Sequence, residues 1–322
     1  MAEPHKRPHR HPTYKTAYRV KNWHEYDQSR RDRGDITLWI SQDAIDAWSP
    51  PMTGKRGAQP VYADLAIETA LTFRLLFHLP LRQTEGFLIS VLQLMGLTLP
   101  CPDHTTRSRR NATVDIGPLK KGVQQEPTCL IVDSSGLKVC GQGEWHTQKH
   151  GAKQHKRWKK LHIGVDTQGR IVASTVTESP EQDPSQVPEL LSQVDRAIDR
   201  FLGDGMYDQA PVYAAVMVHS PGASVIIPPR KDTVLSDQAA PLPTQRDQHL
   251  LAIEREGRFA WKRPSGYYAQ SHAEHAFFRC KQSFGGRLRA KREASQARET
   301  SLVCALLNRM RDLGRPESYA VS

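Results

Sequence analysis

The strongest constraint on this chain's fold is a change of hydrophobic period near residue 128. Upstream, apolar side chains recur at helical spacing: Ala66, Ala70, Phe73 and Phe77, then Phe87, Leu88, Val91, Leu92, Leu94 and Met95 on one broad face. Pro80 closes the first helix, because proline cannot continue the hydrogen-bond ladder, and Gly96 ends the second. Downstream, the pattern is that of strands. "TCLIVDSS" is a buried strand ending in an acid, and "GLKVCG" begins its return. "KKLHIGVD", the turn "TQGR" and "IVASTVT" form a hairpin with Gly169 at the tight position. A helix over "PSQVPELLSQVDRAIDR" follows, then short strands in "FLGDG" and "ASVIIPPR", and final helices that include "ETSLVCALLNRMRDL". Three strands in a meander, then helix, strand, helix, strand and helix, predict an α/β domain with a mixed sheet flanked by helices.

This organisation predicts five regions: a basic flexible arm over 1–35, a small all-helical domain over 36–115, a linker over 116–127, the α/β domain over 128–315 and a tail over 316–322. Asp103 can cap a short helix, "HTTRSRRNA", that carries Arg107, Arg109 and Arg110. Helix, turn and short basic helix are similar to a helix-turn-helix, although the turn is longer than the usual three or four residues. An ordinary helical bundle with a solvated basic end fits the same residues.

Charge narrows the partner. The 322 residues carry 45 Lys and Arg against 34 Asp and Glu, a formal charge of +11 that favours a polyanion, nucleic acid before an anionic membrane. No apolar stretch is long enough for a membrane span; the nearest, "LAIETALTFRLLFHLPL", is broken by Glu68, Arg74 and His78. The start has basic residues but no apolar core of a secretory signal. Five scattered cysteines, without a C-x-x-C pair, fit a reducing cytoplasm and neither a zinc site nor a disulfide framework. A soluble cytoplasmic protein associated with the nucleoid is expected.

Three acids stand out. Asp133 follows Leu130, Ile131 and Val132, Asp204 follows Phe201 and Leu202, and Glu274 lies alone in the basic, aromatic helix "YYAQSHAEHAFFRCKQSFGG". Acids that follow adjacent buried strands converge where the strand ends meet, and a helix could bring Glu274 to the same place. Crowded carboxylates favour a cation between them, and their hard oxygens suit Mg²⁺ or Mn²⁺. Two such ions, about 3.5–4 Å apart, are the standard device for in-line displacement at a phosphodiester. Singly, each acid has a plainer reading, as a turn former at Asp133 and Asp204 or as a surface acid paired with Lys281 at Glu274. His146, Asp166, Asp183 and Asp208 are candidates for an outer shell only. The segment "EWHTQKHGAKQHKRWKKLH" adds Lys153, Lys156, Arg157, Trp158 and Lys159, a surface that could track phosphates and stack bases. A solvated basic hairpin is its alternative.

The blocks "VDSSGLKVCGQGEW", "WKKLHIGVD", "GDGMYD", "AEHAFFRCKQSFGGRLRAK" and "LNRMRDLGRPES" occur in the order found in bacterial insertion-sequence transposases of the DDE class. The chain resembles those of insertion sequence family five from about residue 35 to 318. The resemblance implies an RNase H-like catalytic fold with Asp133, Asp204 and Glu274 as catalytic residues and metal ligands, two Mg²⁺ or Mn²⁺ ions, and cleavage and strand transfer of double-stranded DNA. It implies recognition of terminal inverted repeats and action as a homodimer on transposon ends and target. It also implies that Tyr267 and Lys281 hold DNA, as members of the signature Y-x2-R-x3-E-x6-K. Gln270 stands where that signature has arginine, and an amide lacks the charge and the bidentate fork. The resemblance thus implies intact metal binding with an altered phosphate grip at Gln270. A non-catalytic DNA-binding repressor or an inactivated copy would keep the fold and basic surface without the chemistry, and a structure-specific nuclease would cut without joining.

Overall fold

The computed structural model describes residues 17–40, 42–52, 54, 56–57, 59–116, 119, 128–139, 158–178, 182–237 and 242–321. Near the amino end lie β1 (Ala17–Val20), α1 (Trp23–Asp32) and α2 (Gln42–Asp46), followed by α3 (Asp64–Leu76), α4 (Leu81–Leu94) and α5 (His104–Arg110). The meander is β2 (Cys129–Val139), β3 (Trp158–Val165) and β4 (Ile171–Glu178). Then come α6 (Val187–Ser192), β5 (Arg200–Leu202), α7 (Ala210–His219) and β6 (Ser224–Ile226). The chain closes with α8 (Gln245–Glu256), α9 (Arg258–Lys262), α10 (Ser271–Phe284), β7 (Arg287–Leu288), α11 (Glu293–Asp312) and β8 (Ser318–Val321).

The six-stranded sheet has the order β4–β3–β2–β5–β6, and β7 pairs with β2. The meander is antiparallel, while β5 and β6 run parallel to β2. This is the mixed sheet of an RNase H-like fold, flanked by helices as expected. Side chains alternate across it. Leu130 and Val132 point into a core with Phe201, Val225 and helices α6 and α7, whereas Cys129 and Ile131 face the opposite core with Leu202, α10 and α11.

Four details differ from the sequence reading. β2 does not turn back at "GLKVCG" but runs straight through Gly136, still paired with Lys160 of β3, and the ring of Trp158 lies 3.2 Å from where a Cβ would stand. The glycine makes room for an indole rather than a turn. The helix expected over 184–200 is only a 3-10 turn, Asp183–Gln186, and the short α6. It stops where Gln193 spends its amide on β4, accepting from Ser174 N at 3.0 Å and donating to Ser174 O at 3.1 Å. Within the predicted basic arm and tail, β1 pairs antiparallel with β8, joining the two ends of the chain. Finally, α3 and α4 share one continuous core with α10, α11 and the sheet, through Phe73, Leu75, Leu88 and Phe277 among others. The helical region therefore packs as part of the α/β body.

Polar side chains bind backbone groups on both outer strands. On β4, Asn308 of α11 accepts from Ile171 N at 2.9 Å and donates to Ile171 O at 2.7 Å. On β6, Gln245 accepts from Val225 N at 2.7 Å and His249 donates to Val225 O at 2.8 Å. Replacing Asn308 by Leu strands two buried backbone groups, each worth about 1–3 kcal/mol when left unpaired. Asn308→Leu should therefore destabilise the chain by about 2–4 kcal/mol, read from its urea unfolding curve against wild type.

Candidate active site

The face of the sheet that carries Ile131 and Leu202 builds the site. β2 and β5 pair in parallel with Ile131 opposite Leu202, and continuing this register by two residues sets Asp133 level with Asp204. Period-two alternation gives each acid the side of its strand partner, so both face α10. Pairing with β5 ends at Ile131, which leaves Asp133 inside β2 rather than at its end but just past its parallel neighbour. Asp133 accepts a hydrogen bond from Ser134 N at 2.7 Å, and Asp204 caps the turn Gly205–Tyr207 by accepting from Met206 N at 2.8 Å.

Helix α10 seats on this face through Ala273, Ala276, Phe277, Cys280 and Phe284. The two alanines let its axis approach the sheet closely, and Glu274, between them, stands exposed at the helix start. Burial is the main cause that lifts the Asp133 carboxyl to a pKa of about 6; Asp204, Glu274 and Asp183 raise it further against the Ser134 N–H. Burial likewise raises Asp204, and the like charge of Asp183 raises it further. Among the described residues, no group of three His, Cys, Asp or Glu side chains is close enough to hold a metal ion. The two aspartates and Glu274 feel one another without closing into a three-ligand set. Their donor chemistry still fits a hard divalent cation: all oxygens, on one side of the sheet, with a crowding of negative charge that a cation would relieve.

Gln270 precedes α10 and is buried, 5% exposed. Its Nε2 donates to Val132 O at 2.9 Å, while its Oε1 has no hydrogen-bond partner among the described residues. This corrects the expectation that Gln270 contacts DNA: the amide braces β2 at the peptide preceding Asp133. Arg107, expected on a DNA-facing helix, has no exposed surface; it donates to Leu81 O at 2.7 Å and lies 3.5 Å from Glu85. Lys159 is also turned inward, paired with Glu178 and Glu293. Arg110 is committed to Asp64 at 2.5 Å and to Tyr62 O at 3.2 Å. In each case the basic side chain ties elements together. Asp103 does cap α5, accepting from the N–H groups of Thr105 and Thr106.

Arg109 and Lys281 are exposed, and Trp158 is half-buried with the Lys138 ammonium 5.6 Å from its ring. Tyr267 is half-buried against Trp261, its hydroxyl pushed up to about 12 by burial and by Asp204, Glu274 and Asp133. Lys153, Lys156, Arg157 and His146 lie outside the described residues. Two further charged residues stand beside the site. Asp183, held by Lys160 at 2.7 Å, is a fourth negative charge beside the aspartates. Arg230 follows β6 and donates to Gly205 O at 3.3 Å, directly after Asp204. The run "PPRK" after an apolar strand was its only sequence signal. Asp208 is structural: it is buried and bound by Arg246 at 2.7 and 3.1 Å. Asp166 shapes the β3–β4 turn, accepting from Gln168 N and Arg170 N.

Two comparisons agree with this geometry. Residues 124–309 match a family described as Transposase DDE domain, and residues 31–142 match a second family of the same description. The longer match covers more than half of the chain and includes both strands and the helix that carry the three acids. The chain belongs to the DDE transposase family. Members of that family bind DNA and work with divalent metal ions.

Two measurements follow from the site's packing. A carboxyl whose proton is held more tightly in the folded chain weakens folding once it ionises. Asp133 ionises near its ordinary value of 3.8 when unfolded and near 6 when folded, so stability should fall as pH rises through this window and stay reduced above it. Asp133→Asn should therefore raise the Tm in EDTA at pH 8, with the gain vanishing below pH 3.8. Gln270→Leu should lower stability by about 1–3 kcal/mol, because Val132 O loses its buried donor; an unchanged unfolding midpoint would remove the bracing role.

Proposed function

We propose that this transposase binds the terminal inverted repeats of a mobile DNA element, cuts a strand at each end and joins the freed end to target DNA. Asp133, Asp204 and Glu274 are the catalytic acids and would hold the divalent ion or ions, Mg²⁺ or Mn²⁺. What supports this reading is that Asp133 and Asp204 each follow the Ile131–Leu202 pair of parallel strands by two residues, with α10, which carries Glu274, packed on the same face. Insertion sequence family five is compatible with the block order of the chain.

When bound, the metal supplies Lewis acidity that activates the attacking oxygen and steadies the leaving one. The protein's own groups prepare the place. Gln270 braces β2 at the peptide before Asp133, and the Ser134 N–H orients the Asp133 carboxylate. The Met206 and Tyr207 N–H groups hold the turn that presents Asp204. Water attacks a phosphodiester at the element's end and breaks its P–O3′ bond, leaving a 5′-phosphate and a free 3′-hydroxyl; that hydroxyl then attacks a target phosphodiester, whose own 3′-oxygen leaves as a hydroxyl. The acids act as ligands rather than nucleophiles, so no covalent protein–DNA intermediate forms. Lys281, Tyr267, Arg109 and Trp158 are available as DNA contacts, and Lys153, Lys156 and Arg157 extend that surface. Two ends cut together call for two protomers, hence a homodimer on DNA.

Asp133→Asn, Asp204→Asn and Glu274→Gln should each reduce Mg²⁺-dependent cleavage of an inverted-repeat substrate by more than about 100-fold, since loss even of a supporting partner costs about 10–100-fold. End binding in EDTA should persist in all three. Normal cleavage by any variant takes that residue out of the site. End binding without cleavage by the wild type supports a repressor or inactivated copy, and cleavage without joining supports a nuclease.

A further inference from the structure

Beside Asp204 opens a cleft walled by Pro228, Pro229, Arg230, Lys231 and Arg258. It combines one catalytic acid with three cations from two elements, the segment after β6 and the start of α9. The hydrogen bonds of the cations are telling. Arg230 donates to the carbonyls of Gly205 and Met206 at 3.3 and 3.5 Å, and Arg258 donates to Pro229 O at 2.6 Å. Among the described residues no carboxylate pairs with Arg230, Lys231 or Arg258. A carbonyl orients a guanidinium but does not neutralise it, so three cations face the single carboxylate of Asp204, which Arg230 favours, and a net positive charge remains on the cleft. Arg107, Arg110 and Lys159, by contrast, are each matched with an acid inside the protein.

The cations are also held in place. Two consecutive prolines fix the backbone before Arg230. The Arg230 N–H donates to Asp208 at 3.2 Å, and Asp208 is itself clamped by Arg246 and Thr233. Preset cations around an open cleft fit an anion whose charge is repeated along a chain. Small anions would need a closed pocket to exclude water, which this cleft lacks.

We infer that the Arg230–Lys231–Arg258 cleft is a binding site for the phosphodiester backbone of duplex DNA, gripping the phosphates next to the one that lies over Asp204. It rests on the proposed catalytic reading only for which phosphate is reacting; the cleft itself binds DNA with or without chemistry. It lies apart from Lys281, which sits in a different open cleft with His78 and Arg289.

The test uses the full chain, a short duplex oligonucleotide and EDTA, with binding measured across a salt series. Each released phosphate contact contributes about 0.9 to the slope of log K against log salt. Lys231→Gln should flatten the slope by about 1 and Lys231→Gln/Arg258→Gln by about 2. Arg258→Lys, which keeps the charge, should retain the slope, and Arg196→Gln, an exposed cation elsewhere, should leave it unchanged. Circular dichroism checks that each variant is folded; Lys231→Gln removes no protein contact and stands alone if Arg258→Gln fails to fold. Slopes equal to wild type for Lys231→Gln overturn the site, as does a flattening by Arg196→Gln of the same size. Mg²⁺-dependent cleavage is measured in parallel: a flattened slope with no wild-type cleavage keeps the cleft and rejects the chemistry. Normal cleavage with an unchanged slope rejects the cleft alone.

Discussion

Everything at this site depends on how closely α10 lies against β2 and β5. Small side chains at Ala273 and Ala276 permit the approach, and Phe277, Cys280 and Phe284 secure it by excluding water from the sheet face. The same docking does three things. It brings Glu274 near enough for its charge to act on Asp133, sends the Gln270 amide into the sheet at Val132 O, and places Tyr267 where it feels all three carboxylates. A bulkier residue at either alanine would lift the helix and move all three together. The geometry of the acids is thus a property of one packed interface rather than of three separate loops.

Much of this was legible in the sequence. The order of strands and helices, the cap at Asp103, the Gly169 turn and the candidate acids follow from local pattern, because local hydrogen bonding and hydrophobic period decide them. The parts that were misread depend on residues distant in sequence. Gly136 looks like a turn until Trp158 is seen to need its missing Cβ. The segment after Gln193 looks helical until that amide is found binding Ser174. Arg107 and Lys159 look like DNA contacts because charge alone does not reveal which side of an element faces the interior. Gln270 was singled out by its position in a motif, but its role is set by a carbonyl 138 residues away.

The Lys and Arg side chains of the described residues therefore divide into two populations. Some cations are matched by acids or bound to carbonyls inside the body, where they act as struts: Arg170 against Asp312 at 2.7 Å and Arg246 against Asp208 are of this kind. Others, such as Lys231 and Lys281, stand at open clefts and keep their charge for a partner. Only the second population is open to phosphates, so the gross count of Lys and Arg overstates the number of phosphates the described surface can hold.

The side-chain clamps on the outer strands carry a last consequence, for assembly. Val225 at the centre of β6 has its N–H and C=O taken by Gln245 and His249, and β4 is closed at Ile171 and Ser174 by Asn308 and Gln193. A neighbouring chain that tried to extend the sheet at these positions would have to displace bonds already made. The sheet is therefore blocked at these points against growing from one molecule into the next. Copies of this chain that meet cannot pair through these backbone groups without first displacing the four side chains that hold them.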